Sequence, residues 1–457
     1  MNRSMAWKLL AIAAITGVIL IALALVNGTI TDRQNYRKQA VQSIESSYAG
    51  PQIITGPVLV RPYTQTTTTT ERDDKGVMKE VTRSVDLNAI SFPRTYDLRG
   101  KLAPSERRHG LYTVTVYEFD GHLQGSIDIA PPPTTGTVTW GEPYLALSVQ
   151  DVRGIVGTPA VTINGTSATI IQGAGGLTSW QPNLHIPLRN LATMNGHLDF
   201  AIDMALAGTE QLSIVPIGDS NHVELTSTWH SPLFDGQFLP RTRDVGPQGF
   251  TAAWDVPSLA TGAQMQMQTP ADAAKSLDLL TVSLLNPIDP YKLSDRATKY
   301  GILFVLLTFG GFFLFEMLKH LPIHPIQYLL VGFGLAIFFL LLISFSERMP
   351  FAAAYLLSSA GCIGLLTFYL IYVLRSALRG LSFGAMLTTL YAAVYGLLIS
   401  EDNALVLGSM LLFAVLAGVM VITRKVDWYK TGVTPLTPSA PPPPPLDPDH
   451  QGIRLSH

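Results

Sequence analysis

The sequence predicts an α+β membrane protein: six transmembrane helices, one N-terminal and five C-terminal, with a large mostly-β, sandwich-like domain inserted between the first and second. The distribution of apolar residues carries this. One apolar run of membrane length spans residues 9–26, and about 270 polar, turn-rich residues follow. Five more apolar runs crowd between Tyr300 and Thr423. A bilayer core takes roughly 20 apolar residues per helix. Composition agrees: 14% charged and 47% apolar residues suit a chain that is part lipid-facing and part globular. A net charge of -2 gives no argument for nucleic-acid binding. The one cysteine, Cys362, lies in an apolar run, so no disulfide within the chain is possible.

Taken in order, the predicted spans are residues 9–26, 300–318, 326–345, 351–374, 381–399 and 404–423. Pro325 and Pro350 sit where a first helical turn tolerates proline, and Asp402 or Asn403 is placed to cap the last helix. Alternating the spans puts Arg3, Lys8, Lys319, Arg375, Arg379, Arg424, Lys425 and Lys430 on one side. Glu347, Arg348, Glu401 and Asp402 fall on the other. The positive-inside rule then predicts a multi-pass membrane protein with both termini cytoplasmic and the insert outside. Arg33, Arg37, Lys38, Arg296 and Lys299 lie on the wrong side, but they flank a long domain, where the rule is weak. Ala22-Leu23-Ala24 also resembles a signal-peptide cleavage site. The 18-residue apolar run is long for that, which favours an uncleaved anchor.

The predicted partition is an anchor (1–26), a polar helical stalk (27–50), a periplasmic β domain (51–286), an elbow (287–299), a five-helix bundle (300–429) and a proline-rich cytoplasmic tail (430–457). The β assignment rests on short β-branched and aromatic runs: Ile53-Ile54, then 58–60, 112–119, 161–163 and 198–206, broken by Gly, Pro, Asn and Asp. Such runs predict antiparallel strands, with Pro131–Pro133 a possible division into two lobes. Thr66 to Thr70, followed by Glu71 to Gly76, reads as an exposed hairpin or loop, and Asp73-Asp74 as a solvated pair. In the elbow, Asp289 can cap, Pro290 fits the first turn, and the segment runs on into the second span without a breaker. Asp295, Arg296 and Lys299 fall on it, the latter two at headgroup level. Five consecutive prolines, 441–445, mark the tail as a polyproline II spacer.

From Asn286 onward the residues resemble the CreD family of bacterial inner-membrane proteins, also called cell-envelope integrity proteins. Leu285-Asn286-Pro287-Ile288-Asp289-Pro290-Tyr291, Ser294-Asp295-Arg296-Ala297-Thr298-Lys299-Tyr300-Gly301 and His324-Pro325-Ile326-Gln327-Tyr328 carry the resemblance. Ser400-Glu401-Asp402 and Arg424-Lys425-Val426-Asp427-Trp428-Tyr429 extend it. In the insert, Gly56-Pro57-Val58-Leu59-Val60-Arg61-Pro62-Tyr63 and Gly236-Gln237-Phe238-Leu239-Pro240-Arg241 are similar too. The proline tail lies outside it. The resemblance implies a link to envelope-stress and β-lactam responses and to colicin tolerance, and it brings no catalytic residues with it.

Lys430-Thr431-Gly432 matches one element of penicillin-recognising enzymes, but Ser-x-x-Lys and Ser-Asp-Asn are absent from the sequence. Gly380-Leu381-Ser382-Phe383-Gly384 has the letters of a nucleophile elbow, yet it opens a membrane helix; close packing at Gly380 and Gly384 is the simpler reading. His320 and His324 are four apart, but Pro322 and Pro325 break a ligand-bearing helix, so no metal is predicted. No cofactor fingerprint is present either. Glu316 is the one carboxylate inside a span, with Lys319 three positions on as its expected helical partner.

The expectation is therefore a non-enzymatic inner-membrane protein of envelope integrity, with the β domain binding or sensing an envelope component. Its partners would be the lipid bilayer and that component. The alternative is a transporter or lipid-handling bundle with the β domain as gate. Glu316, Lys319, Asp295, Arg296 and Lys299 are the candidate functional residues. The oligomeric state is not legible from the sequence.

Overall fold

The computed structural model describes residues 3–72, 78–129, 137–175, 177, 180, 182–188, 196–268, 277–285, 290–319, 323–400 and 403–424. Several expectations fall elsewhere: the Asp73-Asp74 pair, the division at Pro131–Pro133, the cap Asp289, His320, Glu401-Asp402 and the whole tail lie outside the described residues. The chain divides into two compact units, Asp32–Asp289 and Met1–Thr31 with Pro290–His457. One helix, α1 (Arg3–Ser47), contributes residues to both.

Unit Asp32–Asp289 is mostly strands. In chain order these are β1 (Gln52–Arg72), β2 (Met78–Ser91), β3 (Pro93–His109), β4 (Tyr112–Asp128), β5 (Thr137–Trp140), β6 (Tyr144–Val149), β7 (Ile155–Ile163) and β8 (Thr166–Ala168). There follow β9 (Ile171–Gln172), β10 (Leu184–Pro187), β11 (His197–Thr209), β12 (Gln211–Ile214), β13 (Ser220–Ser227), β14 (Leu233–Gly236), β15 (Thr242–Gly246), β16 (Gly249–Pro257) and, after the short helix α2 (Ala263–Gln268), β17 (Leu280–Ser283). One sheet runs β14-β17-β12-β1-β6-β10-β9, with β2 and β5 also on β1; the other runs β15-β16-β13-β3-β4-β11-β7-β8.

The runs that predicted strands (Ile53-Ile54, 58–60, 112–119, 161–163, 198–206) all lie in strands. Along β11 and β16 buried and exposed residues alternate, the period of a sheet with one wet face. Inner residues of both sheets, among them Ile54, Val58, Leu145 and Ile186 from one and Leu98, Phe119, Ile202 and Trp254 from the other, form one buried core. The pairing is not purely antiparallel as expected: β1 with β12 and β3 with β13 are parallel. A parallel pair needs a long crossover, and well over a hundred residues separate the members of each.

The other unit is helical: α3 (Pro290–Lys299), α4 (Gly301–Lys319), α5 (Pro325–Ser346), α6 (Phe351–Val373), α7 (Ala377–Ile399) and α8 (Ala404–Thr423), with the start of α1. Among the described residues, four helices are long and apolar enough to cross a membrane: α1, α5, α6 and α7. The apolar parts of α4 and α8, Gly301–Phe313 and Val406–Val421, are shorter. Large apolar side chains point outward, including Leu356, Phe368, Tyr372 and Phe413, as lipid-facing surfaces require. Inside, rings of Phe304 and Phe338 lie 4.6 and 4.7 Å from that of Tyr391 in edge-on contacts.

The chain does not run unbroken from the elbow into α4. Helix α3 ends at Lys299, Tyr300 intervenes, and α4 begins at Gly301. The two differ in pattern: Tyr291, Ser294, Ala297 and Thr298 give α3 one buried stripe, whereas α4 is apolar along most of its length, and Tyr300 between them still donates to the Arg296 carbonyl at 3.2 Å.

Candidate functional site

Glu316 is 7% exposed on α4, and two other helices supply its partners. Lys8 of α1 donates its ammonium to Oε1, and the Tyr328 hydroxyl of α5 donates to Oε2 at 2.9 Å. Phe309 and Phe312 pack on the Tyr328 ring. A buried carboxylate needs a counter-charge and hydrogen bonds to its remaining lone pairs. Here it receives both. The side chain of Lys319, the expected partner, lies outside the described residues. The arrangement ties three helices at one point, with each Glu316 oxygen accepting one hydrogen bond.

The elbow residues form a separate group. Asp295 accepts from Lys299 at 2.7 Å across one helical turn on the exposed side of α3, and Arg296 is also engaged. These are surface ion-pair positions rather than a convergent pocket.

His324, read in sequence as a loop residue, caps α5: its Nδ1 accepts from the Ile326 amide at 3.3 Å, and Gln327 Oε1 accepts from the His324 amide at 3.1 Å. Pro325 occupies the first helical turn. The Ser382 hydroxyl donates to the carbonyl of Arg379 at 2.8 Å, so it is spent on its own helix. A Cβ on Gly380 would meet the backbone of Ile371 at 2.8 Å, and one on Gly384 would meet Thr367, so both glycines seat α7 on α6. Cys362 is buried with Sγ 3.2 Å from the Tyr391 hydroxyl.

Within the β unit, sequence reasoning missed the capping of α1. Arg153 donates to the carbonyls of Ser46 at 2.6 Å and Glu45 at 3.2 Å. A cation there satisfies orphan carbonyls and meets the negative end of the helix dipole. Asp151 holds Arg153 through two hydrogen bonds, at 2.6 and 2.9 Å, and also accepts from the Gly50 amide at 3.1 Å. The Arg153 hydrogen bond is the chief cause that lowers the Asp151 carboxyl to about 2. Thr209 donates to the Ala49 carbonyl at 2.6 Å, and Gln52 to those of Asp151 and Ala207, both at 3.0 Å. Half-buried Glu210 has its carboxyl pushed up by desolvation. The only signal in sequence was the short Asp151-Val152-Arg153 spacing, which is too common to select.

A second missed feature covers the wet face of the eight-stranded sheet. His122 pairs with Asp203 at 2.6 Å, His222 with Asp255 at 2.7 Å, and His197 with Asp128 at 2.9 Å and Asp199 at 3.1 Å. The Asp203 hydrogen bond raises the His122 value, and that from Asp128 raises His197. Two open grooves lie on this face: one of about 700 Å³ between Arg99, Lys101, Asp120, His122 and Glu224, and one of about 560 Å³ beside Asp97, Gln124, His197 and Asp199. Cross-strand pairing explains why the sequence concealed them, since each His and its Asp lie 33 or more positions apart, apart from Asp199 beside His197. Among the described residues, no group of three or more His, Cys, Asp or Glu is placed to hold a metal ion.

Comparison with known proteins adds the following. A family model described as "CreD: Inner membrane protein CreD" matches residues 4–429. The inner membrane protein CreD of Escherichia coli (strain K12) is 35% identical over 426 residues, covering 93% of this chain and 93% of that relative. Among solved structures, an M1 zinc metallopeptidase from Deinococcus radiodurans is 11% identical over 42% of each chain, with a TM-score of 0.23. A mutant form of that enzyme gives 12% identity, the same coverage and a TM-score of 0.22. Likenesses at that score carry no argument about fold or activity.

Proposed function

The chain belongs to the CreD family of inner membrane proteins, and from that premise we propose that it serves cell-envelope integrity by coupling a periplasmic β unit, which binds or senses an envelope component, to a membrane bundle. Membership makes this an envelope-related membrane protein with several apolar helices. The family is named for its membrane location and not for an enzymatic activity. The finer topology belongs to the proposal: six spans, both termini cytoplasmic and the insert outside, as the positive-inside pattern argues. Glu316, Lys319, Asp295, Arg296 and Lys299 then act in holding or relaying the state of the bundle.

The observation that carries this reading is α1. One uninterrupted helix is pinned by the Lys8–Glu316 pair in the bundle unit and by Arg153 in the β unit. Such an element can transmit strain because a helix resists bending and breaks cooperatively. The grooved wet face of the eight-stranded sheet offers the contact surface, with acid, base and imidazole groups side by side. A transport role draws less support, because Glu316 is occupied by Lys8 and Tyr328.

The test is photo-crosslinking in intact cells. A photoreactive residue at Gln124, between the two grooves, should capture an envelope component, and one at the lipid-facing Phe368 should not capture the same species. Failure to capture any envelope component from several positions on this face would sink the sensing role.

A further inference from the structure

The threonine-rich segment of β1 pairs with β2 over its full length, from Leu59↔Ser91 to Arg72↔Met78. Strand β5 pairs with the middle of β1, Tyr63↔Trp140 to Thr66↔Thr137. The result is a three-stranded ribbon, and among the described residues β2 pairs only with β1. Alternation along a strand separates its two faces.

The register sorts chemistry between those faces. One is a hydroxyl ladder: Thr64 donates to Asp86 at 2.7 Å, Thr66 meets Ser84 at 3.1 Å, and Thr68 meets Thr82 at 3.4 Å. The other carries Trp140, Tyr63 and Leu87 in one row, then Val138 and Val85 flanking Gln65, then Arg83 beside Thr67 and Val81 beside Thr69. The two aromatic rings are 5.3 Å apart. Trp140 is 45% exposed, Leu87 38% and Val85 53%. Apart from Met78 at the tip, which falls on the hydroxyl face, the exposed apolar residues of the ribbon share one side, and a ribbon exposed on both sides has no folding reason to segregate them.

Charge follows the same division. Arg61, Arg83 and Lys79 lie on the apolar face. The Arg61 guanidinium stacks over Trp140 at 4.8 Å from the ring centroid. Asp86 and Glu80 lie on the hydroxyl face. Tryptophan and tyrosine beside aliphatic and basic side chains is the composition that partitions into the headgroup zone of a bilayer. Basic residues near an anionic surface are drawn to it electrostatically.

We propose that this ribbon is a membrane-docking element: its Trp140–Tyr63–Leu87 face lies on anionic phospholipid of the bilayer that holds the chain. A tethered chain meets that surface at high effective concentration, so modest affinity suffices. This docking is independent of the envelope-sensing role and needs no other protein.

The experiment uses the full chain with its one cysteine replaced, Cys362→Ser, and a nitroxide attached after either Val85→Cys or Ser84→Cys. One chain is reconstituted per nanodisc, in phosphatidylcholine with or without phosphatidylglycerol. Access to a water-soluble nickel chelate should fall several-fold at position 85 in phosphatidylglycerol discs and stay unchanged at position 84. Adding Lys79→Glu and Arg83→Glu should restore access at 85. Equal access at both positions in anionic discs overturns the proposal. So does protection at 85 that persists without phosphatidylglycerol, or that arises only when a disc holds two chains, which would assign the face to a second copy.

Discussion

A carboxylate among membrane helices is costly unless paired, and Glu316 shows how the chain meets that cost. Its charge is balanced by Lys8, whose side chain keeps 33% of its exposure against 9% for Glu316. Removing one partner of a fully buried pair costs roughly 3–5 kcal/mol, and the partial exposure of Lys8 reduces that to about 2 kcal/mol here. Lys8→Met and Glu316→Leu should each lower stability by that order. The double variant should lose less than the sum, since neither charge is then stranded. Thermal unfolding in detergent of the four proteins in the cycle measures this, and strict additivity would mean the two side chains do not interact. The carboxylate itself was legible in sequence as the one acid inside an apolar run. Its partner was not, because Lys8 stands 308 positions away and helical spacing pointed to Lys319 instead.

At the scale of elements, close approach is set by small residues. Helix α7 meets α6 through Gly380, where a Cβ would come within 2.8 Å of the Ile371 backbone, which cannot step aside. Gly361, on α6, has no heavy atom within 4 Å of its Cβ position. Gly380→Ala should therefore cost about 1–3 kcal/mol as an overpacked contact, whereas Gly361→Ala should leave stability unchanged or raise it by up to about 1 kcal/mol, the helix-propensity gain of alanine. Matching losses at the two positions would show that packing against Ile371 is not the cause. Local pattern made much of this scale readable: the apolar runs foretold the helices, β-branched runs the strands, and Pro325 the start of α5. It could not place the break at Tyr300, where no proline stands to mark it. Nor could it give the parallel pairings of β1 with β12 and β3 with β13, which are set by contacts between strands far apart in the chain.

For the molecule as a whole, the question is whether its two units respond to each other, and α1 is the element through which a response can be measured. Its 45 residues correspond to about 68 Å of helix at 1.5 Å per residue. Near its start stands Lys8, paired with Glu316; at its end the carbonyls of Glu45 and Ser46 accept from Arg153. Asn27-Gly28 does not interrupt it: Gly28 has nothing within 4 Å of its Cβ position, while Val26 and Ile30 on either side are buried. Glu316→Gln weakens the charge pairing at one end. If α1 is stiff, amide exchange over residues 45–50 should quicken several-fold in that variant, although no contact of those residues has changed. Two glycines inserted after Thr29 add flexible backbone to the helix and should confine the quickening to residues of the bundle unit. Exchange over 45–50 that ignores Glu316→Gln in the uninterrupted helix would leave α1 as an anchor only. The envelope-sensing role would then require another route between its units.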